Sequence, residues 1–138
     1  MLICIDSNPF IFGIEGTDPA SEELMLLIPD LEIAVPRLIM QEVTRNLDAD
    51  TAKLFYALIN MSDQFRIVDE PVPAELVEKY VALGLPAKAD AVIGGFTEWM
   101  GAKYLVSDNR HFLQEFSTDA FEVLEPAEFV WRFHAGKL

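Results

Sequence analysis

Short apolar runs in this chain alternate with amphipathic stretches of helical spacing, and that alternation restricts the fold more than any other feature. Leu2–Ile5, Glu32–Val35, Phe65–Val68, Tyr104–Val106 and Phe121–Leu124 read as strands. Helices are expected over Ser21–Ile28, Arg37–Leu47, Asp50–Met61, Pro73–Leu83, Ala87–Gly101, Asn109–Phe116 and Ala127–His134. Within Arg37–Leu47 the residues Leu38, Ile39, Val43 and Leu47 recur at helical intervals, and Asp50 stands where an N-cap would begin the next helix. Strands separated by helices favour parallel pairing, and a parallel sheet must be covered on both faces. The expectation is therefore an α/β fold of three layers, α/β/α, around a central parallel sheet of about five strands. The 138 residues suit a single domain spanning 1–138. No repeat, low-complexity tract or linker divides them.

In such sheets ligands bind beyond the carboxyl ends of the strands, where the strand order reverses. The residues that follow each strand therefore matter most. The first strand ends in Asp6-Ser7-Asn8 and the fourth in Ser107-Asp108-Asn109. If those strands are neighbours, both aspartates share one crevice. Helix capping is the plainer reading of each: Ser7 or Asn8 suits an N-cap before Pro9, and Asp108 could cap the helix that follows it. Glu42 and Asp90 are harder to dismiss, because each lies beside the apolar stripe of its own helix. A carboxylate near an inner face needs a proton, a partner or a metal. Rim salt bridges to the nearby Arg45 and Lys88 are the alternative. Four carboxylates at one crevice would repel one another, and hard cations such as Mg²⁺ or Mn²⁺ relieve that repulsion through oxygen ligands. Gly94 and Gly95, inside the Asp90 helix, suggest close approach of that helix to the sheet, or a simple packing notch.

Charge restricts the partners. Twenty-three acidic residues face ten basic ones, a net charge of −13, which excludes a strong non-specific nucleic-acid binder acting on its own, without cations or a partner to offset the charge. Arg37, Arg45, Lys88 and Arg110 flank the acidic motifs and are the candidates for contacting a phosphate backbone. The hydrophobic content of 51% and mean hydropathy of +0.22 support a packed core rather than disorder. No apolar run reaches membrane-spanning length, and no secretory leader is recognisable. The lone cysteine, Cys4, reads as a buried thiol in a reduced cytoplasmic setting. Two histidines and one cysteine make a tetrahedral zinc site improbable. Nucleophile elbow, Walker A and GxGxxG motifs are absent. His111 reads as an exposed or capping residue. Phe129, Trp131 and Phe133 cannot share one helix face, so at least one is expected at the surface.

Taken in order, the motifs resemble those of the PIN-domain family, which includes the VapC-like toxins. They are an apolar strand with Asp-Ser-Asn, a Glu-bearing helix (PRLIMQEVTRNL), an Asp-bearing helix, and a strand followed by Ser-Asp-Asn-x-x-Phe. The resemblance runs from Leu2 to about Val123. It matches Asp6, Glu42, Asp90 and Asp108 to the family's acidic residues, Ser7 and Asn8 to its small polar pair, and Asn109 to its final polar position. Pro9 departs from the pattern, standing where an apolar residue is usual. The resemblance implies a central parallel sheet, dependence on Mg²⁺ or Mn²⁺, ribonuclease activity, and a protein antitoxin as partner.

The expected function is hydrolysis of RNA phosphodiester bonds. Asp6, Asp90 and Asp108 would hold the metal. Glu42 would complete the coordination or orient water, with Ser7, Asn8 and Asn109 as supporting hydrogen-bonding groups. A homodimer through aromatics near Trp131 is also expected. A regulatory binding module of the same shape, acting through a protein partner, is the rival reading. A phosphatase with Asp6 as nucleophile is weaker, since Ser7-Asn8-Pro9 supplies no Asp-x-Asp pair.

Overall fold

The computed structural model describes residues 1–86 and 88–138. Five strands form one sheet: β1 (Leu2–Ile5), β2 (Glu32–Pro36), β3 (Phe65–Val68), β4 (Tyr104–Val106) and β5 (Glu122–Leu124). All pairings are parallel and the order is β3-β2-β1-β4-β5. Ile3, Cys4 and Ile5 are successive residues pointing to opposite faces, and all three are buried. Ile33, Ala34 and Val35 of β2 behave alike. Burial on alternate sides of the same strand requires layers on both faces, so the expected three-layer α/β arrangement is the one observed.

The helices are α1 (Ser7–Glu15), α2 (Pro19–Leu27), α3 (Arg37–Asn46), α4 (Ala49–Asn60), α5 (Ala74–Ala82), α6 (Ala89–Trp99), α7 (Arg110–Leu113) and α8 (Pro126–Ala135). A 3-10 turn, Ile28–Asp30, follows α2. α1 packs on α2, α3 and α4, α2 packs on α8, and α5 packs on α6. The core around the sheet includes Phe10, Phe55, Phe96 and Phe129.

Several local expectations change. The first helix starts at Ser7, and Asp6 is its N-cap, so neither Ser7 nor Asn8 caps it. Pro9 fits the first turn because the N–H groups there have no intrahelical acceptor. Asp48 caps α4, accepting from Thr51 N at 2.8 Å, whereas Asp50 already lies inside the helix. The start of the helix expected from Ala87 falls outside the described residues. Gly94 and Gly95 admit α5 rather than the sheet. A Cβ at Gly94 would lie 2.9 Å from both Leu85 Cδ1 and Tyr80 Cδ1, and one at Gly95 would lie 3.3 Å from Leu76 C. In α8, Phe129 is buried while Trp131 remains 54% exposed.

The chain proceeds from β1 outward to β2 and β3, then returns to lay β4 against the opposite edge of β1. The reversal therefore lies between β1 and β4. Their register pairs Ile3 with Tyr104, Cys4 with Leu105 and Ile5 with Val106. Asp6 N donates to Val106 O at 2.9 Å. The two strands thus deliver Asp6 and Ser107 side by side at the carboxyl edge.

Candidate functional site

Asp6 occupies the floor of this edge and is 6% exposed. Its Oδ1 accepts from Ser7 N at 2.8 Å, and its Oδ2 accepts from Ser107 Oγ at 2.7 Å. Burial is the main cause that pushes the Asp6 carboxyl up to about 6. The two hydrogen bonds pull it down, and the negative charges of Glu42 and Asp90 push it up further. Those two carboxylates therefore act on Asp6 electrically, one from α3 and one from the first turn of α6. Both are half-buried.

A chain of polar contacts links the strand ends. Ser107 Oγ, fully buried, accepts from Asn109 N at 3.0 Å while donating to Asp6. Asn109 Nδ2 donates to Asp90 Oδ1 at 3.4 Å. Asn109 Oδ1 accepts from His111 N at 3.0 Å and so caps α7, the role considered above for Asp108. Asp108 is exposed instead, and its Oδ1 accepts from Asn8 Nδ2 at 3.3 Å. Ser7 supplies its backbone N–H. Ser107 was not singled out from sequence as a site residue. Its position opposite Asp6 depends on the β1–β4 register, which no local pattern encodes.

The basic residues are less gathered. Arg37 Nε donates to Asp69 at 2.7 Å, which ties it to the end of β3. Arg45, Lys88 and Arg110 are exposed. Lys88 precedes α6 with a φ of 77°, a left-handed backbone unusual for a residue with a Cβ. His111 pairs with Glu115, one turn along. Among the described residues none of Asp6, Glu42, Asp90 and Asp108 forms an ion pair, so the rim bridges to Arg45 and Lys88 are not made.

A buried carboxylate without a counter-cation, beside two half-buried ones, is a donor set of the kind that Mg²⁺ or Mn²⁺ takes. Among the described residues, however, no three acidic, cysteine or histidine side chains converge closely enough to enclose an ion. Asp6 has both oxygens turned towards hydrogen-bond donors, while Asp90 accepts from Asn109 and Asp108 from Asn8. The donor chemistry fits a divalent cation. Closing upon it requires the half-buried and exposed side chains to move inward.

No family model and no curated protein matches the chain. Among solved structures, it is similar to a chain of VapBC2 from Rickettsia felis, crystallised bound to a DNA fragment from their promoter. The TM-score is 0.59 at 17% identity, and the likeness covers 91% of this chain and 98% of that one. At such identity the likeness speaks for the fold, a PIN-like α/β arrangement extending over nearly the whole of both chains.

Proposed function

We propose that the chain is a metal-dependent endoribonuclease, acting in the cytoplasm as the toxin of a toxin–antitoxin pair. The observation that carries this reading is the buried Asp6 carboxylate, without a cation, at the one reversal of strand order and within electrostatic reach of Glu42 and Asp90. Asp6, Asp90 and Asp108 would hold Mg²⁺ or Mn²⁺, with Glu42 completing the coordination or orienting the attacking water. A divalent cation held there would supply charge neutralisation for a phosphoryl oxygen and would lower the pKa of a water bound to it. The chain's own residues position these groups. Ser107 fixes the rotamer of Asp6, Asn109 restrains Asp90 while holding α7, and Asn8 restrains Asp108.

Water attacking phosphorus with the 3′-oxygen leaving yields a 5′-phosphate and a 3′-hydroxyl, with no part for the ribose 2′-hydroxyl. A histidine mechanism would instead leave a cyclic phosphate. The test is cleavage of structured and single-stranded RNAs with Mg²⁺, with Mn²⁺ and with chelator, followed by end-group analysis. Cleavage is expected only with metal. Asp6→Asn is expected to slow it by orders of magnitude and His111→Ala only modestly. Cyclic phosphate ends formed equally well in chelator would overturn the mechanism.

The charge of −13 favours keeping a second reading, a regulatory module of this shape acting through a protein partner. Metal-dependent cleavage abolished by Asp6→Asn separates the two. An antitoxin and a homodimer complete the proposal. The neighbouring structure is itself a complex on promoter DNA.

A further inference from the structure

Tyr80 of α5 is fully buried, and its ring lies where α5, α6 and the segment between α7 and β5 meet. Gly94 admits the ring from the side of α6, since a Cβ there would lie 2.9 Å from Tyr80 Cδ1. From the other side Phe121 stacks on it with 5.9 Å between centroids, and Phe116 meets it edge-on at 5.8 Å. The segment after α7 thus leans on α6 through a side chain of α5. A cleft of about 300 Å³ opens on one side of that segment, bounded by Lys79 and Leu83, and one of about 200 Å³ opens on the other, bounded by Phe112 and Phe121. Both reach Ser117 and Thr118. With space on either side, the chain at 117–118 is held by particular side-chain contacts rather than by continuous packing.

The Tyr80 hydroxyl supplies the chief of these contacts. It donates to Glu98 Oε1 at 2.8 Å, and Lys79 Nζ reaches the same oxygen at 2.6 Å. Burial pushes the Tyr80 phenol up, and the Lys79 bond holds the Glu98 carboxyl below its usual range, so the donor keeps its proton and the acceptor its charge. The single phenolic proton is thereby used. Thr118 Oγ1, 3.1 Å away, therefore donates to Tyr80, while itself accepting from Ala120 N at 3.2 Å. Glu98 lies along α6 from Asp90 by about 12 Å, at a rise of about 1.5 Å per residue. At the Asp90 end, Asn109 Nδ2 donates to Asp90 Oδ1, and Asn109 Oδ1 caps α7. The chain from 109 to 118 is thus fastened to α6 at two points. Asp90 and Asp108 stand at one of them, where the bond, at 3.4 Å, is long. The clasp at Tyr80 is the firmer.

We propose that Tyr80 is a positioning residue for the carboxylate site: its hydroxyl ties the 109–118 segment to α6 and so sets how Asp108 and Asn109 stand against Asp90. The consequence for a cation rests on the metal-site reading above; the geometry does not. Tyr80→Phe keeps the ring beside Gly94 and removes only the hydroxyl. Thr118→Val removes the same link from the other side. In chelator, the Asn109 side-chain amide resonance is expected to shift in both variants, and the amides of 110–118 to exchange at least about fivefold faster. Each variant is expected to bind Mn²⁺, followed by electron paramagnetic resonance, about three- to tenfold more weakly than the parent. The double variant should bind no more weakly than either single one, because both remove one link. Ile28→Val, a core change in the turn after α2, should leave the resonance and the affinity unmoved. An unshifted Asn109 resonance would overturn the proposal. So would equal Mn²⁺ affinity in parent and variants, or a loss of affinity that Ile28→Val reproduces. If the parent binds no Mn²⁺ while the resonance still shifts, the clasp stands and the metal reading falls.

Discussion

Ionising Asp6 is opposed by burial and by two neighbouring negative charges, and only partly relieved by Ser7 and Ser107. A folded-state value of about 6 lies roughly two units above that of the unfolded chain. A carboxyl raised in this way contributes stability at low pH that is lost as pH rises from about 4 through about 6. In chelator at pH 7, Asp6→Asn should therefore be more stable than the parent, by on the order of 1–3 kcal/mol, with the gap closing below pH 4. Urea titrations at both pH values check this, and a less stable variant at pH 7 would contradict it. Mg²⁺ should raise the melting temperature of the parent beyond what sodium chloride of equal ionic strength achieves. Asp6→Asn or Asp108→Asn should shrink that gain; an undiminished gain would put the ion elsewhere. Ser107→Ala strips one acceptor bond from Asp6 and the acceptor from Asn109 N, and should cost about 1–3 kcal/mol. At this scale the placement of the acids was legible, Asp6 and Asp108 after strand ends and Glu42 and Asp90 on half-buried helix positions. Ser107 was not, since its meaning comes from a partner residue distant in sequence.

Helix contacts set the position of the site's walls. A Cβ at Gly13 would lie 2.5 Å from Met25 Cγ and 2.6 Å from Ser21 O, and the second of these is backbone. α1 and α2 would have to separate to admit it. At Gly95 the nearest atoms would be 3.3 Å away, within what small adjustments absorb. Gly13→Ala should therefore destabilise by about 1–3 kcal/mol despite its better helix propensity, while Gly95→Ala should lie near neutral. Chemical denaturation of both variants ranks them, and a reversed order would refute the packing argument. Elements of this kind were readable in part. Strands such as Leu2–Ile5 and Tyr104–Val106 carry compact apolar runs and were placed residue for residue. The helix at Ser7–Glu15 was glimpsed only through its cap, because Phe10, Ile11 and Gly13 are all buried and its apolar stripe is broad. The purpose of Gly94 and Gly95 depended on which neighbour they face, and helical period alone does not supply that.

Across the molecule, 23 acidic side chains confront ten basic ones, and Arg37, Lys79 and Arg132 are already committed to ion pairs. Self-repulsion should make stability rise with monovalent salt between about 0.02 and 0.2 M, and a flat or falling melting temperature would show the charges to be locally balanced. The strand order has a temporal side as well. Ser107 and Asp6 meet across 101 positions of sequence, and β1 has no β4 beside it until that span has been closed. Loop closure on this scale is slow and unrewarded until pairing occurs. During synthesis, β1, β2 and β3 leave the ribosome first, with the β4 edge of β1 bare. The carboxyl edge that carries Asp6 and Asp108 is therefore not formed on a chain made only as far as β3. Whatever chemistry that edge performs, a nascent chain not yet extended past Val106 lacks the second strand on which the edge depends.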